Sequence, residues 1–206
     1  MRDNAIFLSA GVPDPSAPHF EGEGDSAAIA AAVNALLYAT LGRRQLIWGG
    51  HPAITPMVWA FAEAMDVDYG DWVTLYQSAI FEDMFPEETA RFRNVVITEA
   101  VGDDRSASLA LMRQRMIREN DFGAAVFIGG MRGIFDEFRM ISESSPRTRI
   151  LPVMSTGGAA EKLGRELHAT PSFSDELDYV SLFLEQLEID PNEERSVSRN
   201  RLDGMG

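Results

Sequence analysis

Residues 124–138 read AAVFIGGMRGIFDEF. An apolar run from Ala124 to Ile128 passes into Gly129-Gly130, and beyond Gly133 the residues Ile134, Phe138 and Ile141 recur at helical spacing. A short uninterrupted apolar run suits a strand covered on both faces, and a glycine turn leading into an amphipathic helix makes a βα unit. The same unit repeats outward in both directions. Apolar runs at 5–10, 45–48, 72–77, 95–99 and 150–154 are predicted strands, and helix-period segments fall between them. The first predicted helix carries Ile29, Ala32, Val33, Leu36 and Leu37 on one stripe, opened by Asp25 or Ser26 and closed by Gly42. Others are predicted at 56–65, 106–119, 133–144, 159–167 and 175–187, the last with Leu177, Val180, Leu184 and Leu187 on a stripe. This alternation predicts an α/β fold, a Rossmann-like open parallel sheet flanked by helices on both faces. A single domain is expected over 1–189, followed by a polar tail over 190–206 that has almost nothing to bury and serves as a free tail or an arm on a partner subunit.

Two stretches break the alternation. Residues 13–24 (PDPSAPHFEGEG) form a Pro- and Gly-rich loop leaving the carboxyl end of the first strand, where open α/β sheets bind ligands, and are read as a surface loop or a lid. Residues 79–93 (AIFEDMFPEETARFR) mix aromatics with carboxylates and are expected as a short helix or lid on the same rim.

Composition excludes several classes of function. With 206 residues and 45% hydrophobic side chains the chain buries a substantial core, and 18 Lys plus Arg against 32 Asp plus Glu leave a formal net charge of −14. Such a field repels extended polyanions, so neither a nucleic acid polymer nor a membrane is expected as partner. The absence of cysteine removes disulfides, thiolate nucleophiles and the usual zinc cages. Nothing resembles a spanning helix or a long signal-peptide core, and a cytoplasmic location is expected. Lys162 is the only lysine, so the cations are otherwise arginines, which suit planar recognition of phosphate or carboxylate.

Four predicted strands end in small residues before a helix: Ser9-Ala10-Gly11, Gly49-Gly50, Gly129-Gly130 and Thr156-Gly157-Gly158. Glycine lets backbone approach a ligand, and amides at a helix start carry partial positive charge, so such turns bind phosphate without a basic surface. Candidate ligand contacts are therefore Ser9, Gly11, Gly49, Gly50, Gly129, Gly130, Met131, Arg132, Gly133, Thr156, Gly157 and Gly158, together with Thr55 beside the second turn. Thr55 is expected as an N-cap with Pro56 behind it, leaving His51 at the pocket mouth as a ligand contact or a loop histidine bonded to backbone. Neither GxGxxG at the first turn, nor the GxxxxGK[ST] loop, nor a GxSxG elbow is present. His19 and His168 have no metal-ligand spacing, and no metal site is expected.

On the helix at 106–119, Leu109, Met112 and Met116 form the apolar stripe, and Arg113 falls within about a quarter-turn of its centre. On the next helix Glu137 borders the core stripe, while Asp136 reads as solvated. Arg113 and Glu137 are read either as a structural ion pair or as a site pair, with Glu137 accepting from ribose or serving as acid or base.

AAVFIGGMRGIFDEF resembles the PGGxGTxxE segment of the cytokinin-activating phosphoribohydrolases, often labelled lysine decarboxylase-like, and MRQRM at 112–116 resembles their arginine-bearing helix. With Gly49-Gly50-His51-Pro52, FLSAGVPDP, GGHPAITP and VMSTGG, residues 6–167 resemble the SLOG superfamily, in particular branches found in predicted bacterial conflict and antiphage systems beside TIR or Sir2-type modules. The resemblance implies a Rossmann-like domain that binds a nucleotide or an NAD-derived signal such as ADP-ribose, with no required cofactor. It matches Arg113 and Glu137 to the hydrolases' catalytic pair and Gly129, Gly130 and Gly133 to their phosphate loop. Ile128 in place of the motif's proline, Arg132 within the loop and Ile134 in place of threonine weigh toward a sensor. Cleavage of the N-glycosidic bond of a nucleoside monophosphate is the alternative. A homo-oligomer is implied, with a TIR- or Sir2-type effector as a further partner.

Overall fold

The computed structural model describes residues 5–17, 20–65, 69–170, 173 and 176–196. Among them six strands form one parallel sheet: β1 (Ala5–Gly11), β2 (Leu46–Trp48), β3 (Val73–Ser78), β4 (Asn94–Thr98), β5 (Phe122–Gly129) and β6 (Arg149–Val153). Their spatial order is β4-β3-β2-β1-β5-β6. The chain winds outward from β1 to β4, then crosses back to lay β5 on the other side of β1. The order therefore reverses between β1 and β5, and a crevice opens where the two following connections diverge. Every predicted strand is present, with ends shifted by one or two residues.

The helices are α1 (Ser26–Thr40), α2 (Thr55–Ala64), the single turn α3 (Tyr69–Trp72), α4 (Arg105–Arg118), α5 (Gly133–Ser144), α6 (Gly158–Glu166) and α7 (Tyr179–Gln186). Alternate residues of β1 explain the two layers. Ile6 and Leu8 join a core with α1, α2 and α7, while Ala5 and Phe7 join a second core with α4, α5 and α6. Both faces of the sheet are thus covered, which is why the strands read as continuous apolar runs rather than as alternating patterns. Pro152 pairs with Phe127 in β6, an edge strand, where a missing N–H is tolerated.

Asp25 caps α1, accepting from the Ala27 and Ala28 amides at 2.8 and 3.0 Å, and Gly42 ends it at φ +79°. All five residues of the predicted α1 stripe are fully buried. Residues 79–93 form two 3₁₀ helices, Ala79–Met84 and Glu87–Arg91, rather than one element. Of the stripe expected on the last helix, Val180, Leu184 and Leu187 pack on the core, and Leu177 is corrected. Asp178 caps α7 through the Ser181 amide, so Leu177 lies before the helix and is 71% exposed, and Tyr179, Leu182 and Phe183 supply the buried face.

Of residues 190–206, the part up to 196 docks on its own domain. Arg43 donates to the Glu193 and Pro191 carbonyls at 2.8 and 2.9 Å, Arg44 forks onto the Glu193 carboxylate at 2.5 and 3.0 Å, and Arg195 lies over the Tyr38 ring. Ile189 is buried just ahead of it. Arginines at the end of α1 thus hold a segment that composition alone assigns to solvent or a partner. No helix among the described residues is long and apolar enough to cross a membrane.

Candidate functional site

The reversal between β1 and β5 holds a cavity of about 240 Å³. Its floor is the carboxyl end of β1, with Ser9 and Gly11, and its walls come from Gly49, Gly50 and His51 after β2, Arg113 on α4, and the turn into α5 with Glu137. Parallel register sets this convergence. Gly11 pairs with Gly129, and the Gly130 amide donates to the Gly11 carbonyl at 2.7 Å, so the two chains leave the sheet side by side. Gly129 and Gly130 have φ of +57° and +71°. These left-handed conformations turn the chain sharply from strand to helix, which a residue with a Cβ adopts only at a cost.

The turn delivers the N-terminus of α5 to the cavity. Among the described residues no side chain caps this helix, and its Ile134, Phe135 and Asp136 amides bond back to the Met131 and Arg132 carbonyls, so the positive end of its dipole and the backbone at 131–133 are what meet the space that Gly130, Met131 and Gly133 line. Gly133 is glycine for room: a Cβ there would stand 2.5 Å from Nη2 of Arg113. The guanidinium is therefore packed against the first turn of α5. From there Arg113 Nε donates to Glu137 Oε1 at 3.0 Å, and Nη1 stands 3.7 Å from Asp136. Glu137 is only 9% exposed. A buried carboxylate without a partner is strongly disfavoured, so Arg113 supplies the charge that offsets its burial and holds it at the cavity wall. Asp136, expected to be solvated, belongs to the same charge cluster.

His51 organises the next wall. Its Nδ1 accepts from the Ala53 amide at 3.2 Å, and its carbonyl accepts from Ile54, Thr55 and the Thr55 hydroxyl. The role predicted for Thr55 is corrected: it is the first residue of α2, no side chain caps the helix, and its hydroxyl bonds back to His51. With Nδ1 accepting, the neutral ring carries its hydrogen on Nε2, which lies alongside Gly11. Burial lowers the pKa of this ring, so it presents a neutral donor at neutral pH.

Of the predicted contacts, Ser9, Gly11, Gly49, Gly50, His51, Arg113, Gly130, Met131, Gly133 and Glu137 all line this cavity. Gly129 sits just beneath it, its amide bonded to Thr156 Oγ1 at 2.9 Å. Arg132 is exposed and outside the lining. Thr156, Gly157 and Gly158 are not brought to the cavity. The Thr156 carbonyl and Gly158 amide are bonded to Asp25 and Glu23, and the Gly130 carbonyl takes the Ala159 amide. The loop at 13–24 is therefore pinned at its far end to the start of α6, and Glu21 pairs with Lys162 at 3.0 Å. His19 lies outside the described residues, and His168 is exposed.

A second cavity of about 250 Å³ adjoins the first, sharing Gly49, Gly50, His51, Leu109 and Met112. Its remaining walls are Gln77 and Ser78 at the end of β3 and the aromatics of the 3₁₀ segment. Sequence reading placed residues 79–93 on this rim but singled out neither Gln77 nor Ser78. The one available signal was that two polar residues end a strand otherwise apolar from Leu75.

No curated protein matches this chain. Residues 19–187, which include every cavity-lining side chain from the Gly49 turn to Glu137, match the SLOG cluster3 family, and the chain belongs to that family.

Proposed function

We propose that this domain captures a small phosphorylated nucleotide, of the ADP-ribose or NAD-derived kind, at the β1–β5 crevice, and that occupancy alters its association with itself or with an effector. The observation that carries this reading is that an uncapped helix N-terminus and the Arg113–Glu137 pair open onto one cavity. The backbone at 131–133 and the positive end of the α5 dipole hold a phosphate, which reconciles an anionic ligand with a net charge of −14. Glu137 accepts from ribose hydroxyls through its second carboxylate oxygen, and Arg113 positions it. A SLOG fold and SLOG membership support a nucleotide-related function of this kind.

Thermal denaturation of the full chain with ADP-ribose, NAD and nucleoside monophosphates tests the proposal. At about 100 times its dissociation constant, a ligand specific for the native state stabilises by about 2.7 kcal/mol. Glu137→Gln is expected to remove most of that gain, and no stabilisation by any of these nucleotides would refute the reading. N-glycosidic hydrolysis is the second reading, favoured by the same ion pair, since a buried carboxylate beside the ribose is suited to stabilise a ribosyl cation. Free base released from a monophosphate and abolished by Glu137→Gln would establish it. Ile128, Arg132 and Ile134 favour binding over reaction, because catalysis tolerates misplacement less well than capture does.

A further inference from the structure

The second cavity is walled mainly by carbon, with Phe81, Met84, Phe85 and Pro86 on one side and Leu109 and Met112 on the other. Two polar groups interrupt that lining. Gln77 and Ser78 are 6% and 1% exposed, and Gln77 Oε1 and Ser78 Oγ have no hydrogen-bond partner. A buried polar atom left unpaired costs about 1–3 kcal/mol, and both oxygens are enclosed on residues that line one cavity, so a modest side-chain rotation that turned them into it would let a bound group complete them. The Gln77 amide is oriented: its Nε2 donates to Thr89 Oγ1 at 3.4 Å, which leaves the oxygen as the open atom. A carbonyl oxygen accepts only, so what it lacks is a donor.

Resting on the nucleotide reading above, we infer that this second cavity takes the base of the same ligand, and that Gln77 and Ser78 read a base edge that presents an N–H donor. Three observations select a base over other occupants. The cavity shares the Gly49–His51 turn with the phosphate-facing one, and a Cβ on Gly50, at φ +64°, would meet Leu75 Cδ1 at 2.9 Å and Gln77 Nε2 at 3.1 Å, so glycine lets this shared turn pack closely on the end of β3. Among the described residues no charged side chain lines it, which suits a neutral heterocycle rather than a second phosphate. An acyl chain would fill the apolar walls but leave both oxygens unpaired. Each cavity alone falls below the roughly 300 Å³ at which small-molecule sites begin, whereas the two together accommodate a ribose phosphate with its base. The Phe81 ring is held from outside by Arg105, whose guanidinium lies 5.6 Å from the ring centroid.

Calorimetric titration of the full chain tests this with ribose 5-phosphate, with AMP, GMP and nicotinamide mononucleotide, and with the corresponding nucleosides lacking phosphate. At least one base-bearing monophosphate is expected to bind tenfold or more tightly than ribose 5-phosphate. Gln77→Leu is expected to erase that advantage while leaving ribose 5-phosphate affinity unchanged. Ser78→Ala, a smaller change that keeps the fold if Gln77→Leu does not, is expected to reduce the advantage several-fold. Equal binding of ribose 5-phosphate and every monophosphate overturns the inference, as does an advantage that survives both variants. A nucleoside that binds in a Gln77-dependent way while ribose 5-phosphate does not bind would uphold the base site and refute the phosphate reading of the first cavity. Failure of all these probes refutes both.

Discussion

Two glycine turns of nearly identical appearance, Gly129-Gly130 and Thr156-Gly157-Gly158, end adjacent strands and open adjacent helices, yet they do different work. At the first, α5 begins without a side-chain cap and faces a cavity, with Arg113 and Glu137 beside it. At the second, α6 also begins without a side-chain cap, but the Gly158 amide donates to Glu23 at 2.9 Å and the Ala159 amide to Gly130 at 3.0 Å. Both turns give amides to neighbouring chain, the first from Gly129 to Thr156 and from Gly130 to Gly11, but the first lines the cavity through Gly130, Met131 and Gly133, and the second is held under the loop that crosses it. A glycine turn therefore announces backbone geometry. Whether it can bind anything depends on whether a cavity opens beside it and which amides neighbouring chain leaves unclaimed.

The largest expected effect breaks the structural turn. Gly157 has φ +73° and ψ −159°, a region open essentially to glycine, and a Cβ there would stand 2.6 Å from the Glu23 carbonyl. Gly157→Ala is expected to cost about 3 kcal/mol in urea denaturation, by the strain of that conformation together with the clash. The nucleotide affinity of the folded fraction should be unchanged, and a loss of affinity would place this turn in the site after all.

Gly133→Ala probes the other turn. The new methyl meets only the far end of Arg113, and alanine gains up to about 1 kcal/mol over glycine inside a helix, so stability should stay within about 1 kcal/mol of the parent. Displacing the guanidinium from Glu137 is expected to weaken the nucleotide that gives the largest thermal shift by tenfold or more, about 1.4 kcal/mol. Calorimetry with that nucleotide checks it, and unchanged affinity would reduce the ion pair to a structural one.

The smallest effect concerns His51, on the wall shared by both cavities. Burial lowers its pKa below the ordinary value of 6.5, so between the two values the unfolded chain holds the extra proton. Its contribution to stability is complete above about pH 6.5 and is lost as pH falls through that value toward the native pKa. The urea midpoint should therefore fall less between pH 7.5 and pH 5 for His51→Gln than for the parent, and equal slopes would contradict this.

Much of the fold is legible in one dimension because its signals are local. The apolar run from Ala124 to Ile128, the Asp25 cap and the α1 stripe depend on neighbours within a few residues, and each appears as read. Leu177 was misplaced because a stripe shows periodicity but not where a helix starts; Asp178, with its carboxylate on the Ser181 amide, sets that start. Thr55 was misassigned for a related reason. The composition of Thr55-Pro56 suits a cap, but the helix begins one residue earlier, at Thr55, whose hydroxyl donates back to the His51 carbonyl. The docking of residues 190–196 escaped notice because its partners, Arg43 and Arg44, lie about 150 positions away in the chain.

By itself the sequence determined the alternation of strands and helices, the places where glycine must turn the chain, and the residue types available for chemistry, because these follow from short-range periodicity and backbone sterics. It also placed Arg113 and Glu137 on facing sides of successive helices. Only the tertiary structure decided that they meet at 3.0 Å, that one glycine turn lines a cavity while its neighbour lies under the 13–24 loop, and that, among the described residues, Gln77 Oε1 and Ser78 Oγ are left unpaired on residues lining an apolar cavity. The physical reason is the same in each case. A hydrogen-bonding group is a site only when nothing else in the fold satisfies it, and that depends on every segment packed around it.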